Sequence, residues 1–366
     1  MRFRPAQRTP GAIRALFVVP IGFFVSPSIS PTIEKITVAA KSLSNRASSN
    51  AASPDSHGYL LAALRGASEN KTMTKHLSLV QVDVFTATRL EGNALAVVLD
   101  GSGLSDRQMQ AFAKETNLSE TTFILPREAA TERERGVRVR IFTVSEELPF
   151  AGHPTLGTAF VLRGRGGAAE VRLDLQVGTV PVRFEDADGK PSFGEMTQVD
   201  PKFGAQHDRE AVSRATGIAA SDFDPDLPIE TISTGVGFTI VPIRSLAVMR
   251  ALHIDQQRAA EYLAPTEGKF FYFVCRETVD PAARLHARML FYNGEDPATG
   301  SAAGCAAAWM VAHGAAAPDE RVLIEQGLEM QRPSKIFVRA SKSDNRVVNV
   351  RVGGSVVEVL RGEVFL

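Results

Sequence analysis

The sequence predicts an α+β protein of two duplicated lobes, each built on a mostly antiparallel β-sheet, and three observations carry that expectation. Glu147-Leu148-Pro149-Phe150-Ala151-Gly152-His153 aligns with Glu295-Asp296-Pro297-Ala298-Thr299-Gly300-Ser301 at an offset of 148 (295 − 147), and the register extends to Arg140 on Arg288 and Ala159 on Ala307. Each copy follows a strand-like run and leads into a small, apolar, helix-compatible stretch, so a strand–turn–helix unit recurs half a chain apart. Strand-like runs also greatly outnumber helical ones, and short turns join many of them. That favours antiparallel sheets over a parallel βαβ array.

In chain order, Leu79–Phe85 alternates at period two and reads as a strand, and Ala94–Leu99 follows the Glu91-Gly92-Asn93 turn as a second, more buried one. Ser105 is placed to cap a helix over Asp106–Glu115. Thr121–Leu125 is a third strand. Arg172–Leu175 and Pro181–Phe184 form a hairpin around Val177-Gly178-Thr179, with a further turn at Asp188-Gly189. The second lobe offers a helix over Asp208–Thr216 and strands at Phe238–Val241 and Phe270–Val274. The C-terminus reads as a meander of strands 335–340, 346–352, 355–360 and 363–366, with Gly353-Gly354 and Arg361-Gly362 as turns. The expected division is an N-terminal lobe over 76–194, to which 355–366 returns, and a C-terminal lobe over 195–354.

Residues 1–75 stand outside this pattern. Met1–Pro54 holds seven basic residues and one acidic residue, Glu34, and its apolar run Ala15–Val25 is broken by Pro20 and Gly22. That run is shorter than the roughly 20 apolar residues a membrane span requires. Three readings stay open: an organelle-targeting presequence over residues 1–50, a secretory signal, or a non-native extension upstream of a start at Met73.

Forty-one basic and forty-one acidic residues cancel, which argues against nucleic acid or acidic membrane as a partner. Two cysteines, Cys275 and Cys305, offer neither a disulfide framework nor a zinc spacing, and suit a reducing, cytoplasmic setting. No Walker loop, GxGxxG, GxSxG or HExxH motif occurs, so catalysis is expected without metal or cofactor.

Glu120, in Asn117-Leu118-Ser119-Glu120-Thr121-Thr122-Phe123, falls on a half-apolar strand face, where desolvation raises a carboxyl pKa and suits proton shuttling. It also reads as an edge-strand acid that reaches water. His153 at a helix start, Asp296 before Pro297 and Ser301 as a helix cap each admit a structural reading too. Cys305 reads as a small buried hydrophobe. The repeat sets His153 and Ser301 at the same turn of opposed helices, where unpaired N–H groups attract an anion.

Three stretches resemble the signatures of PhzF-like proteins, the phenazine-biosynthesis isomerase family within the diaminopimelate-epimerase-like fold. They are Asn117–Phe123, Glu147–Gly157 and Gly294–Ala302, supported by Asp83–Thr86, Gly92–Val98 and Glu325–Ser334. The likeness spans roughly 77–366. It departs at Val144, where a Pro is expected after Thr143, and at Gln331, where a Gly is usual. The resemblance implies two pseudo-symmetric lobes, each sheet wrapped around a central helix, and a homodimer. It also implies Glu120 as general acid/base, with His153, Asp296 and Ser301 at the cleft. Relatives of this fold that use two opposed cysteines differ, since neither turn here carries one.

The expected function is a cofactor-independent isomerase of a small carboxylated metabolite. Glu120 moves the proton, His153 and Asp296 polarise the substrate, and Gly152, Gly300 and Ser301 bind its carboxylate at the helix starts. A racemase, epimerase or dehydratase of an amino or hydroxy acid is the alternative, and a non-catalytic binding protein with the same fold is the rival outside enzymes.

Overall fold

The computed structural model describes residues 75–164, 167–185, 193–291 and 294–366. The extension before Lys75, with its Met73 start, and the Asp188-Gly189 turn lie outside the described residues. Lys75 exchanges both backbone hydrogen bonds with Leu366, at 2.7 and 2.9 Å, so it belongs to the sheet.

The first half runs β1 (His76–Val84), β2 (Asn93–Val98), α1 (Asp106–Thr116), β3 (Glu120–Leu125), α2 (Ala129–Arg135), β4 (Val137–Phe142), β5 (Glu147–Leu148), α3 (Gly152–Arg163), β6 (Glu170–Leu175), β7 (Gly178–Glu185) and β8 (Phe193–Thr197). The second runs β9 (Lys202–Gln206), α4 (Arg209–Thr216), β10 (Glu230–Ser233), β11 (Gly237–Ile243), α5 (Leu246–Arg250), α6 (Gln256–Leu263), β12 (Phe270–Cys275), β13 (Ala283–Phe291), β14 (Gly294–Asp296), α7 (Gly300–Ala312), β15 (Val322–Gln326), β16 (Ser334–Ser343) and β17 (Arg346–Phe365). Ser105 caps α1 in a reciprocal box with Gln108, which satisfies two backbone donors at once.

Pairing proceeds from β17 through β1, β2, β3, β4, β6, β7 and β8 and returns to β17, closing a ring. Helix α3 packs on β1, β2, β6, β8 and β17 of that ring. A second ladder joins β9, β10, β11, β12, β13, β15, β16 and β17, with α7 against β10, β11, β16 and β17. Both helices lack a polar face: α3 is buried from Gly152 to Ala159 and α7 from Gly300 to Val311. A helix apolar all round is stable only when surrounded.

The order of ladders repeats. Antiparallel, parallel, antiparallel and parallel pairings at β1–β2, β2–β3, β3–β4 and β4–β6 recur at β10–β11, β11–β12, β12–β13 and β13–β15. The matched Arg140 and Arg288 take matching partners: each Nε donates to a glutamate seven residues on, Glu147 or Glu295, at 2.8 Å. Each bidentate pair braces the turn that leads into a buried helix.

The pairing is mostly antiparallel, as expected, and its four parallel ladders are joined by the crossovers α1, α3, α5 with α6, and α7, the connection that parallel neighbours require. One expectation needs correction: the C-terminal meander is simpler, since β17 continues through Gly353-Gly354 and Gly362 without a turn. None of these glycines adopts a positive φ. They serve close approach: a Cβ on Gly354 would lie 2.6 Å from Phe85 Cδ1, and one on Gly353 2.7 Å from the Gly194 carbonyl.

The departures from the family pattern have local accounts. Gln331 sits at φ +56°, a left-handed conformation in which glycine avoids the Cβ penalty of roughly 1–2 kcal/mol. At Val144, Thr143 Oγ1 accepts from the backbone N–H of Ser145 and Glu146 at 3.1 and 2.9 Å, closing the turn without a proline.

Candidate active site

The two repeated turns deliver the starts of α3 and α7 to one point. A Cβ on Gly152 would lie 2.5 Å from both the Gly300 carbonyl carbon and the Ser301 nitrogen, so backbone meets backbone there. Pro154 is tolerated in the first turn of α3, where no intrahelical donor is lost. The first N–H groups of both helices have no carbonyl one turn back, and both dipoles present their positive ends.

Beside this junction, β3 begins with Glu120 and β14 ends with Asp296, which are 7% and 4% exposed. Glu120, Asp296, Thr299 and Ser301 line one cavity with Phe150, Phe238, Phe270 and Phe291 among its apolar walls. Packing is tight, leaving about 30 Å³ for the centres of water-sized particles. His153 stands behind the wall, 2% exposed, with Nε2 3.4 Å from Glu120 Oε2. Neither of those two atoms has a hydrogen-bond partner among the described residues. An unsatisfied buried pair is costly, and active sites are where such groups concentrate.

Burial first, and then the Asp296 charge, push the Glu120 carboxyl well above the usual carboxylate range. Burial also lifts Asp296, to about 6, against hydrogen bonds from Thr299, Ser119 and Asn93 that lower it. Burial drives His153 down to about 3, so its imidazole is neutral at ordinary pH. Burial thus favours the uncharged form of both carboxyls and the neutral form of His153. Two buried carboxyls that share one enclosed space and raise each other's proton affinity are an arrangement suited to acid–base chemistry.

A wider surface pocket of about 530 Å³ lies elsewhere, beside Phe85, Leu328 and Glu325. Its buried carboxylate is already engaged by the Val279 and Asp280 N–H groups and by His286, at 2.6, 2.7 and 2.8 Å.

The profile of the phenazine biosynthesis-like protein family matches residues 82–362. The chain belongs to this family. An uncharacterised isomerase of Mesorhizobium japonicum is 38% identical over 299 residues, 78% of this chain and 97% of that protein. The trans-2,3-dihydro-3-hydroxyanthranilate isomerase of Pseudomonas aeruginosa is 34% identical over 292 residues, 78% of this chain and 99% of its own. A solved PhzF-family phenazine biosynthesis protein of Bacillus anthracis superposes with a TM-score of 0.71 at 27% identity, covering 80% of this chain and all of that one. This family member is an isomerase, as both relatives are named.

The PhzF-like site contains residues that sequence reasoning did not single out. Asn93 Nδ2 donates to Asp296 Oδ1 at 2.6 Å and to the Ala298 carbonyl at 2.9 Å. Ser119 Oγ and Thr299 Oγ1 donate to the same carboxylate at 3.0 and 2.6 Å. Gln326 Nε2 donates to the Asp296 carbonyl at 2.7 Å, and its Oε1 accepts from Tyr272 Oη at 3.0 Å, fixing the 296–299 turn. One signal was available: Asn93 is the lone polar residue of the Asn93–Val98 run. Cys305 lies inside α7 at 0% exposure, with burial pushing its thiol up to about 11. A thiol so hard to ionise is no base at neutral pH. Among the described residues no helix is long and apolar enough to cross a membrane.

Proposed function

We propose that this isomerase acts without a cofactor on a small carboxylated metabolite, transferring protons in a cavity between two lobes. One lobe comprises 76–194 with the returning 355–366 segment, and the other 195–354. The observation that carries this reading is the meeting of two buried carboxyls, Glu120 and Asp296, beside paired helix N-termini. The N–H groups at Gly152, Gly300 and Ser301, with the Ser301 hydroxyl, bind the substrate carboxylate. Glu120 exchanges a proton with the substrate carbon, while His153 and Asp296 hydrogen-bond its hydroxyl or amino group. General acid–base help of this kind supplies about 10²–10⁴-fold, and positioning by the closed lobes supplies the rest.

A dihydro-hydroxyanthranilate, the substrate named for the Pseudomonas relative, is the first compound to test. Turnover in deuterated water is expected to place solvent label, followed by NMR, at a carbon that carried no exchanging proton in the substrate. Label confined to one inverted stereocentre would make the protein an epimerase instead. Absence of turnover and exchange with this and related carboxylated compounds would remove the reading.

The pH dependence has a definite sign. Proton removal needs ionised Glu120, so the acid limb of kcat/KM is expected well above the ordinary carboxylate range. The Asp296 charge raises the Glu120 pKa, so Asp296→Asn is expected to move that limb to lower pH even as it slows turnover. A pH–rate profile of both proteins checks this; a limb that moves upward or stays fixed contradicts it.

A further inference from the structure

We infer that Asn93 is a positioning residue that fixes which nitrogen of His153 carries the proton and ties that choice to Asp296. The inference rests on the proton-transfer reading above and assigns a role that reading leaves open. Asn93 opens β2, is 1% exposed, and places Nδ2 3.1 Å from His153 Nδ1 as well as against Asp296 Oδ1 and the Ala298 carbonyl. A carboxylate and a peptide carbonyl only accept, so the amide edge that faces them is the NH2. An NH2 group only donates, so His153 Nδ1 must accept and carries no hydrogen. The neutral imidazole then holds its one proton on Nε2, the nitrogen facing Glu120.

That choice decides where the Glu120 proton goes. With Nε2–H facing it, the carboxyl meets a donor that steadies the ionised form and cannot take its proton. The opposite tautomer would present a lone pair that accepts a hydrogen bond from the protonated carboxyl and turns its proton toward His153 rather than the substrate. Two amide hydrogens serve three acceptors, so a change of proton on Asp296 is felt at His153 through the same NH2 group. The fold holds this amide from behind: Arg332 Nε donates to the Gly92 carbonyl at 2.7 Å, and its Nη2 to the Glu91 carbonyl at 2.8 Å and Asp83 Oδ1 at 2.7 Å. An arginine from the turn between β15 and β16 thereby clamps the backbone just before Asn93.

The test is long-range 1H–15N correlation NMR of the ligand-free full chain near neutral pH. The His153 ring is identified as the signal set missing from His153→Gln. The expected pattern is Nε2 protonated and Nδ1 unprotonated. In Asn93→Asp the new carboxylate can only accept, so His153 is expected to gain a proton on Nδ1. In Asn93→Ser, which needs no added charge to be accommodated, a mixture of tautomers is expected. Wild-type protein with Nδ1 protonated overturns the inference, as does a folded variant whose His153 pattern is unchanged. No substrate is present, so the expected spectra from a protein that turns over nothing would remove the proposed activity and leave the role of Asn93 standing.

Discussion

Glu120→Gln is expected to lower kcat by at least about 10²-fold while KM stays within a few-fold, because the amide keeps size and polarity but carries no exchangeable acid proton. The raised pKa adds a stability signature. A carboxyl whose folded pKa lies above its unfolded value contributes stability fully present below the unfolded pKa and lost as pH rises through the folded one. Glu120 is such a group, so glutamine should raise the melting temperature relative to wild type above neutral pH and give no gain near pH 4. Steady-state kinetics and melts at the two pH values check both halves. Turnover near the wild-type rate would make Glu120 a structural acid and move the search for the base to Asp296 or His153.

Gly152→Ala is expected to destabilise the fold by about 1–3 kcal/mol or more, and to abolish turnover with it. Two effects compete. Alanine is favoured over glycine inside a helix by about 0.5–1 kcal/mol. Against that, its Cβ would lie 2.5 Å from main-chain atoms of Gly300 and Ser301, which cannot swing aside as a side chain can. The steric term wins, because relief requires α3 and α7 to separate where the anion site is built. Chemical denaturation reads the loss directly. A variant at least as stable as wild type would mean that the two helix starts do not touch.

What could be read from the chain was mostly local or periodic. The Ser105 cap, the hairpin at Val177-Gly178-Thr179 and the turns at residues 147 and 295 depend on neighbours within a few residues. The repeat even sets Arg140 and Arg288 in register by sequence alone. Gly353-Gly354 misled because glycine marks both turns and close approaches, and only the packed partners Phe85 and Gly194 decide between them. Asn93 escaped for a related reason. Its meaning comes from Asp296, 203 residues away, and a lone Asn after a glycine otherwise reads as a turn residue. Glu120 was legible as a carboxyl on an apolar face, but its coupling to Asp296 needed the junction of two helices that no local pattern describes.

The tightness of the acid–base cavity sets how this protein must meet its ligand. Small-molecule sites commonly enclose about 300–1,000 Å³, whereas about 10–15 Å³ of water-centre space houses one water. The 30 Å³ left between Glu120 and Phe270 belongs to the second regime. A carboxylated substrate larger than a few waters requires this cavity to widen, so binding is expected to be linked to an opening of the site. Apparent affinity is then the intrinsic affinity scaled by the fraction of molecules that are open, and each tenfold rarer open state costs about 1.4 kcal/mol of binding. Weak binding by the free protein would in that case report how seldom it opens, rather than how well it grips once shut.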